Sequence, residues 1–149
     1  MMDNLNLFNV KEDKFWLDTL PNYQRDIVSE LLNIKSYEEA AIAWLEASVD
    51  NTSPFSAQPQ PEKRFFPLLK KEVHKLLCGD PVYAAERSEL VKLSQSHENK
   101  TAIVSMVSAL IGAKVGLAAT FIAPAIVIIF IMIAKTSLNA WCALDTTEN

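Results

Sequence analysis

Residues 115–134 form a run of twenty residues without a charge, including Phe121, Ile122, Val127, Ile128, Ile129, Phe130, Ile131 and Ile133. As a helix this run measures ~30 Å, the thickness of a bilayer's hydrocarbon core. Water does not tolerate such a surface, so the segment belongs in a membrane or in a protein core. Lys114 and Lys135 bracket it, and Trp141 stands where an interfacial aromatic belongs; these three mark the expected membrane boundary. Arg87, Lys92, Lys100 and Lys114 precede the run and Lys135 alone follows it. The positive-inside rule then places the segment in the cytoplasmic membrane, with the preceding head domain in the cytoplasm and the short tail outside. The competing fate is a buried hairpin in a soluble bundle, with Pro124 dividing the run into shorter core helices.

Apolar character extends upstream through residues 101–113. A single helix over 101–134 measures ~50 Å, more than a bilayer, so it tilts into the cytoplasm or bends at Gly112, Gly116 or Pro124. Gly112 and Gly116 form a G-x-x-x-G pair, and Ser108 and Thr120 extend the row at the same spacing of four. Thr101 and Ser105 lie near that face. Small residues at this spacing let helices approach closely in lipid, so Thr101, Ser105, Ser108, Gly112, Gly116 and Thr120 are the candidate helix-packing and pore-lining set. Lys114 falls on roughly the opposite face, where it snorkels, meets protein or lies at the boundary.

The rest of the chain reads as helical. Tyr23, Ile27, Leu31 and Ile34 predict a helix over about 22–34 with those residues inward. Ser36 and Glu39 form a capping box for a helix over about 37–49, whose buried side holds Tyr37, Ala41, Trp44 and Leu45. Residues 50–61 are polar and hold Pro54, Pro59 and Pro61, a composition for a linker or long surface loop. A third helix starts near Pro67 and ends at Cys78, with Gly79 as its left-handed cap. Asp80 caps a fourth that begins at Pro81, with Val82, Tyr83, Leu90, Val91 and Leu93 inward. The expected fold class is all-α: a small helical head followed by a long C-terminal transmembrane helix that associates into an oligomer. The divisions are 1–50 and 67–99 for the head, 51–66 for the linker, 100–141 for the membrane and oligomerisation helix, and 142–149 for the tail.

Charge is segregated. Residues 1–62 carry 4 basic and 11 acidic side chains, whereas residues 63–100 carry 8 basic and 5 acidic ones. Lys63, Arg64, Lys70, Lys71, His74 and Lys75 surround Phe65 and Phe66, which makes these eight the candidate ligand-binding residues. Such a patch neutralises phosphates while aromatics stack on bases, as for a nucleotide or short oligonucleotide. It equally suits anionic lipid headgroups. A solvated basic face with Phe65, Phe66, Leu68 and Leu69 in the core is the plain structural alternative.

No P-loop, G-x-S-x-G, C-x-x-C or H-E-x-x-H occurs, which points away from an enzyme. No cofactor is implied. His74 and His97 share no ligand spacing with cysteines or acids, so no metal site is expected. Cys78 and Cys142 are far apart, and a reducing compartment without a disulfide framework is the expectation. The first twenty residues lack a signal-peptide pattern, so the head should stay on the side where it is made.

A head rich in helices, a basic-aromatic stretch at residues 63–75, a small-residue row at 108–120 and no enzyme motif resemble the small transmembrane effectors of bacterial anti-phage defence. These include the membrane effectors of cyclic-oligonucleotide systems and the channel-like effector of the Hailong system. In the Hailong system a nucleotidyltransferase makes DNA oligomers that hold the channel closed. The resemblance implies a homo-oligomeric channel in the lipid bilayer, gated by a nucleotide or oligonucleotide and served by an operon-encoded partner protein. No family binding residue maps onto this sequence. The alternatives are a tail-anchored adaptor without channel activity and a soluble helical subunit with a buried hydrophobic hairpin.

Overall fold

The computed structural model describes residues 6–52 and 65–146, and among them the regular structure is entirely helical. The elements are α1 (Asp13–Leu17), α2 (Asn22–Ile34), α3 (Tyr37–Thr52), α4 (Phe65–Cys78), α5 (Ala84–Leu93), α6 (Lys100–Val115), α7 (Ala119–Thr136) and α8 (Leu138–Thr146). Short 3-10 turns precede α1, α5 and α6. The linker over residues 51–66 falls largely outside the described residues, as do Lys63 and Arg64.

The local chemistry of the helix ends follows the sequence closely. The Glu39 amide donates to Ser36 Oγ (3.2 Å) and the Ser36 amide donates to Glu39 Oε1 (3.3 Å), completing the capping box of α3. Gly79 takes φ +108° after α4, and the Val82 amide donates to Asp80 Oδ1 (2.9 Å) at the start of the next turn. Val82 itself is exposed; Tyr83 and Leu90 carry the inward face there.

Residues 101–134 are not one helix. The chain leaves the helix at Gly116 (φ +79°), and the Gly116 and Leu117 amides both donate to the Gly112 carbonyl, at 2.8 and 3.0 Å. This is a left-handed cap with a six-to-one hydrogen bond, which glycine adopts without a Cβ penalty. Gly112 has a different reason to be glycine. A Cβ there would lie 2.6 Å from the Leu117 carbonyl oxygen and 3.5 Å from the Ala119 nitrogen. The G-x-x-x-G pair thus builds the α6–α7 turn within one chain.

α7 is the axis of the core. Helices α1, α2, α3, α4, α6 and α8 and the 3-10 turn Asn6–Asn9 all pack on it. Ile122, Ala125–Ile131 and Ile133 are fully buried, with Phe8, Trp16, Leu45, Leu69, Leu76 and Ile111 in the same apolar cluster. Trp16 and Phe8 each meet the Phe130 ring edge-on, with centroids 5.2 Å apart.

α2 has the expected bounds but presents a different face. Tyr23, Ile27 and Ile34 are exposed, at 65, 44 and 78% of their surface, while Gln24 and Val28 are buried. Two overlapping rows of three-and-four spacing exist on this helix, and the row containing Gln24 faces α7.

Gly112→Ala is expected to lower the unfolding free energy by on the order of 1–3 kcal/mol through overpacking. Gly116→Ala should cost about 1–2 kcal/mol through its left-handed backbone. Urea unfolding of both variants checks this, and a neutral Gly112→Ala would contradict the close turn.

Candidate functional site

The feature of this fold with functional content is an apolar helix long enough to cross a membrane, held within other helices. Ala119–Thr136 has the length and composition of a span. Its ends are fastened by polar groups that lipid could not replace.

At the N-terminal end, Pro124 has no amide hydrogen, so the Thr120 carbonyl four residues earlier loses its helical donor. Gln24 Nε2 donates to that carbonyl oxygen at 3.0 Å, and Gln24 is 4% exposed. Trp44 Nε1 donates to the adjacent Phe121 carbonyl at 2.8 Å. At the C-terminal end, Lys135 Nζ lies 3.1 Å from Asp13 Oδ1, and Tyr37 Oη donates to the same carboxylate at 3.0–3.2 Å. Burial, followed by the Asp13 hydrogen bond, raises the Tyr37 pKa above its ordinary value of 10.0. Thus α2 and α3 hold one end of α7, and α1 and α3 hold the other.

Other cations assigned from sequence to the membrane flank also have partners inside the chain. Arg87 Nη1 donates to the Leu76 and Asp80 carbonyls at 3.2 and 3.4 Å. Lys100 Nζ sits 4.4 Å above the Phe15 ring centroid, and Lys114 Nζ sits 5.6 Å from that of Tyr83. The Tyr83 hydroxyl donates to Glu72 at 2.7 Å, and burial, followed by that bond, pushes its pKa upward. Trp141 is buried against the His74 ring, with centroids 5.7 Å apart.

Among the described residues, the members of the predicted ligand patch divide between the core, internal partners and the surface. Phe66 is 2% exposed and in the core, with Lys70 Nζ 5.7 Å from its ring centroid, so it cannot stack on a base in this state. Lys75 pairs with Glu72 at 3.6 Å, and His74 Nε2 hydrogen-bonds the Cys142 carbonyl at 2.9 Å. Phe65 is half-buried and Lys71 exposed on α4. The small-residue row is likewise dispersed. Thr101, Ser105 and Thr120 are exposed, Ser108 and Gly112 are buried, and Gly116 lies in the turn. Ser108 Oγ is enclosed without a hydrogen-bond partner.

Cys78, at the end of α4, is joined by a disulfide to Cys142 on α8, contrary to the expectation of two unpaired thiols. The 64-residue separation concealed a Cα–Cα distance of 5.7 Å created by the return of the chain along α7. His74 lies one turn before Cys78, and one ligand atom from each of His74, Cys78 and Cys142 falls within 4.8 Å of the others. Chain spacing concealed this proximity for the same reason: the third member comes from the far end of the chain.

The site defines a class in structural terms, an all-α bundle jacketing an apolar helix. No family model, curated protein or solved structure matches this chain.

Gln24→Leu should lower stability by about 1 kcal/mol, because it removes the side-chain donor to the part-buried Thr120 carbonyl. Chemical denaturation monitored by circular dichroism measures it. Raised folded-state pKa values for Tyr37 and Tyr83 mean that the phenols favour the fold while protonated. Their contribution is complete below pH 10 and declines as pH rises through the folded values. Thermal melts should therefore hold steady up to about pH 10 and shift downward as pH rises above it, less so in Tyr83→Phe.

Proposed function

We propose that this protein is a membrane effector that stores its α6–α7 hairpin inside the helical head and delivers it to a bilayer on a signal, where copies associate into a ligand-controlled pore. The observation that carries the reading is the coincidence, in α7, of a membrane-spanning composition with polar fastening at both ends. A central core helix packed on all sides can share this length and apolar composition, so composition alone does not separate the two fates. A helix that lived permanently in lipid would have no use for Gln24, Trp44 and Asp13 on its carbonyls and terminal ammonium.

The connectivity favours insertion as a hairpin over a single pass with the tail outside. Cys142 lies six residues beyond the end of α7 and is bonded to Cys78 in the head. Six residues reach at most ~22 Å, less than the ~30 Å hydrocarbon core. With the disulfide intact, both ends of α6–α7 must stay on the head's side of the membrane, which in the cytoplasmic-membrane reading is the cytoplasm. Lys114, near the hairpin tip, then has to reach the opposite headgroups, a transfer of about 3 kcal/mol by insertion scales if it stopped midway.

Release exposes the inner face of the jacket, including Trp16, Leu45 and Leu69. A signal must therefore bind the open state more tightly than the closed one, or the equilibrium does not move. An anionic ligand of the nucleotide or oligonucleotide class would meet Lys70 and Lys71 on α4 in this reading, which keeps the antiviral-effector interpretation as its finer form. The second reading is a soluble helical subunit, favoured by the full burial of residues 125–131.

Flotation of anionic liposomes with encapsulated dye separates the two. Gln24→Leu should float and release dye several-fold faster than the wild type, because its closed state is weakened. If both proteins stay with the aqueous fraction and the vesicles remain sealed, the effector reading fails and the soluble subunit stands.

A further inference from the structure

Beyond any membrane role, the geometry points to a metal-binding site: with Cys78 and Cys142 reduced, they and His74 coordinate a thiophilic divalent cation of the Zn(II) class. The donor set is two thiolates and one imidazole. Such ligands suit zinc or cobalt and disfavour magnesium or calcium.

Three features of the placement support this. His74 and Cys78 occupy positions i and i+4 of α4, so both side chains stand on one helical face. Cys142 is brought to that face by α8, and the three ligand atoms fall within 4.8 Å of one another. Tetrahedral Zn(II) with bonds of about 2.0–2.3 Å sets its ligands ~3.5 Å apart, so once the Cys78–Cys142 bond is reduced the two sulfurs separate by side-chain rotation to admit the cation between them and His74.

One hydrogen bond fixes the tautomer of the imidazole. A carbonyl oxygen only accepts, so Nε2 carries the hydrogen in its 2.9 Å bond to the Cys142 carbonyl. In the neutral ring that leaves the lone pair on Nδ1. A ring N–H donated to a backbone carbonyl is the usual outer support of a metal-binding histidine, fixing the tautomer and raising ligand basicity. The Trp141 ring beside His74 closes one side, while His74 and Cys78 are only partly buried, so a hydrated cation has access and a water can fill the fourth position.

The chemistry balances in two steps. A dithiol reductant gives two electrons and two protons to the Cys78–Cys142 bond, forming two thiols while the reductant becomes a disulfide. The cation then displaces one proton from each thiol and accepts the Nδ1 lone pair, with two protons released to solvent. Disulfide and metal are thus alternative ties between α4 and α8.

The test uses the full chain, reduced with dithiothreitol, desalted under anaerobic conditions and titrated with Co(II). The expected result is a thiolate-to-cobalt charge-transfer band and tetrahedral d–d bands saturating at one equivalent, bleached by one equivalent of Zn(II). Oxidised protein should show neither. His74→Ala should bind at least about tenfold more weakly with altered d–d bands. Circular dichroism confirms that the variant remains helical. Absence of the charge-transfer band in the reduced wild type overturns the proposal. So does a His74→Ala variant that is helical and has the wild-type spectrum and affinity.

Discussion

An 18-residue helix whose only charge is Lys135, at its last turn, cannot stand with most of its circumference in water. Helices α1 to α4, α6 and α8 answer to that constraint. α6 folds back along α7 because Gly116 permits a left-handed cap and Gly112 leaves room for the returning backbone. α1 to α4 wrap the remaining sides with aromatic and branched apolar residues, and α8 is bonded to α4 beneath them. The hydrophobic term is nonetheless nearly indifferent between this jacket and a lipid chain, since both are apolar surroundings for isoleucine and phenylalanine. What distinguishes the two destinations is polar: the carbonyl freed by Pro124 and the ammonium of Lys135 have partners in the head that hydrocarbon lacks.

These polar contacts fasten α7 at definable points. Gln24 and Trp44 act at one end of α7, Asp13 and Tyr37 at the other, and the Cys78–Cys142 bond tethers the segment that follows. Ser137, the residue between α7 and α8, takes φ 102°, a backbone region that costs a non-glycine residue about 1–3 kcal/mol. The packing of Trp141 and Cys142 against α4 holds it there.

Much of this was legible in the sequence and some was not, for identifiable reasons. The identities of α2 to α5, the capping box at Ser36 and Glu39, and the Gly79–Asp80 stop and start depend on neighbours within a few residues, whereas the expected helix over 100–141 divides into α6, α7 and α8. The special status of residues 115–134 follows from composition alone. The chain reversal at Gly116 was one of the bends that length demanded, but a G-x-x-x-G pair reads equally as a contact between chains or a turn within one. The exposed face of α2 misled because Gln24, a polar residue, is the buried one, and its reason is a proline a hundred residues away. The histidine-cysteine cluster was hidden for a similar reason: spacing along the chain cannot show what α7 carries back to α4. Within the basic stretch, sequence spacing could not show that Phe66 belongs to the core and that Lys75 pairs with Glu72.

The most direct check of the central claim is hydrogen–deuterium exchange on the protein in detergent-free buffer, resolved to the level of α7. A jacketed helix predicts a monodisperse monomer in which the amides of residues 125–131 exchange slowest, at the rate of global unfolding. A chain that stays in solution only with detergent, or one whose α7 amides exchange as fast as those of the exposed face of α2, would contradict it.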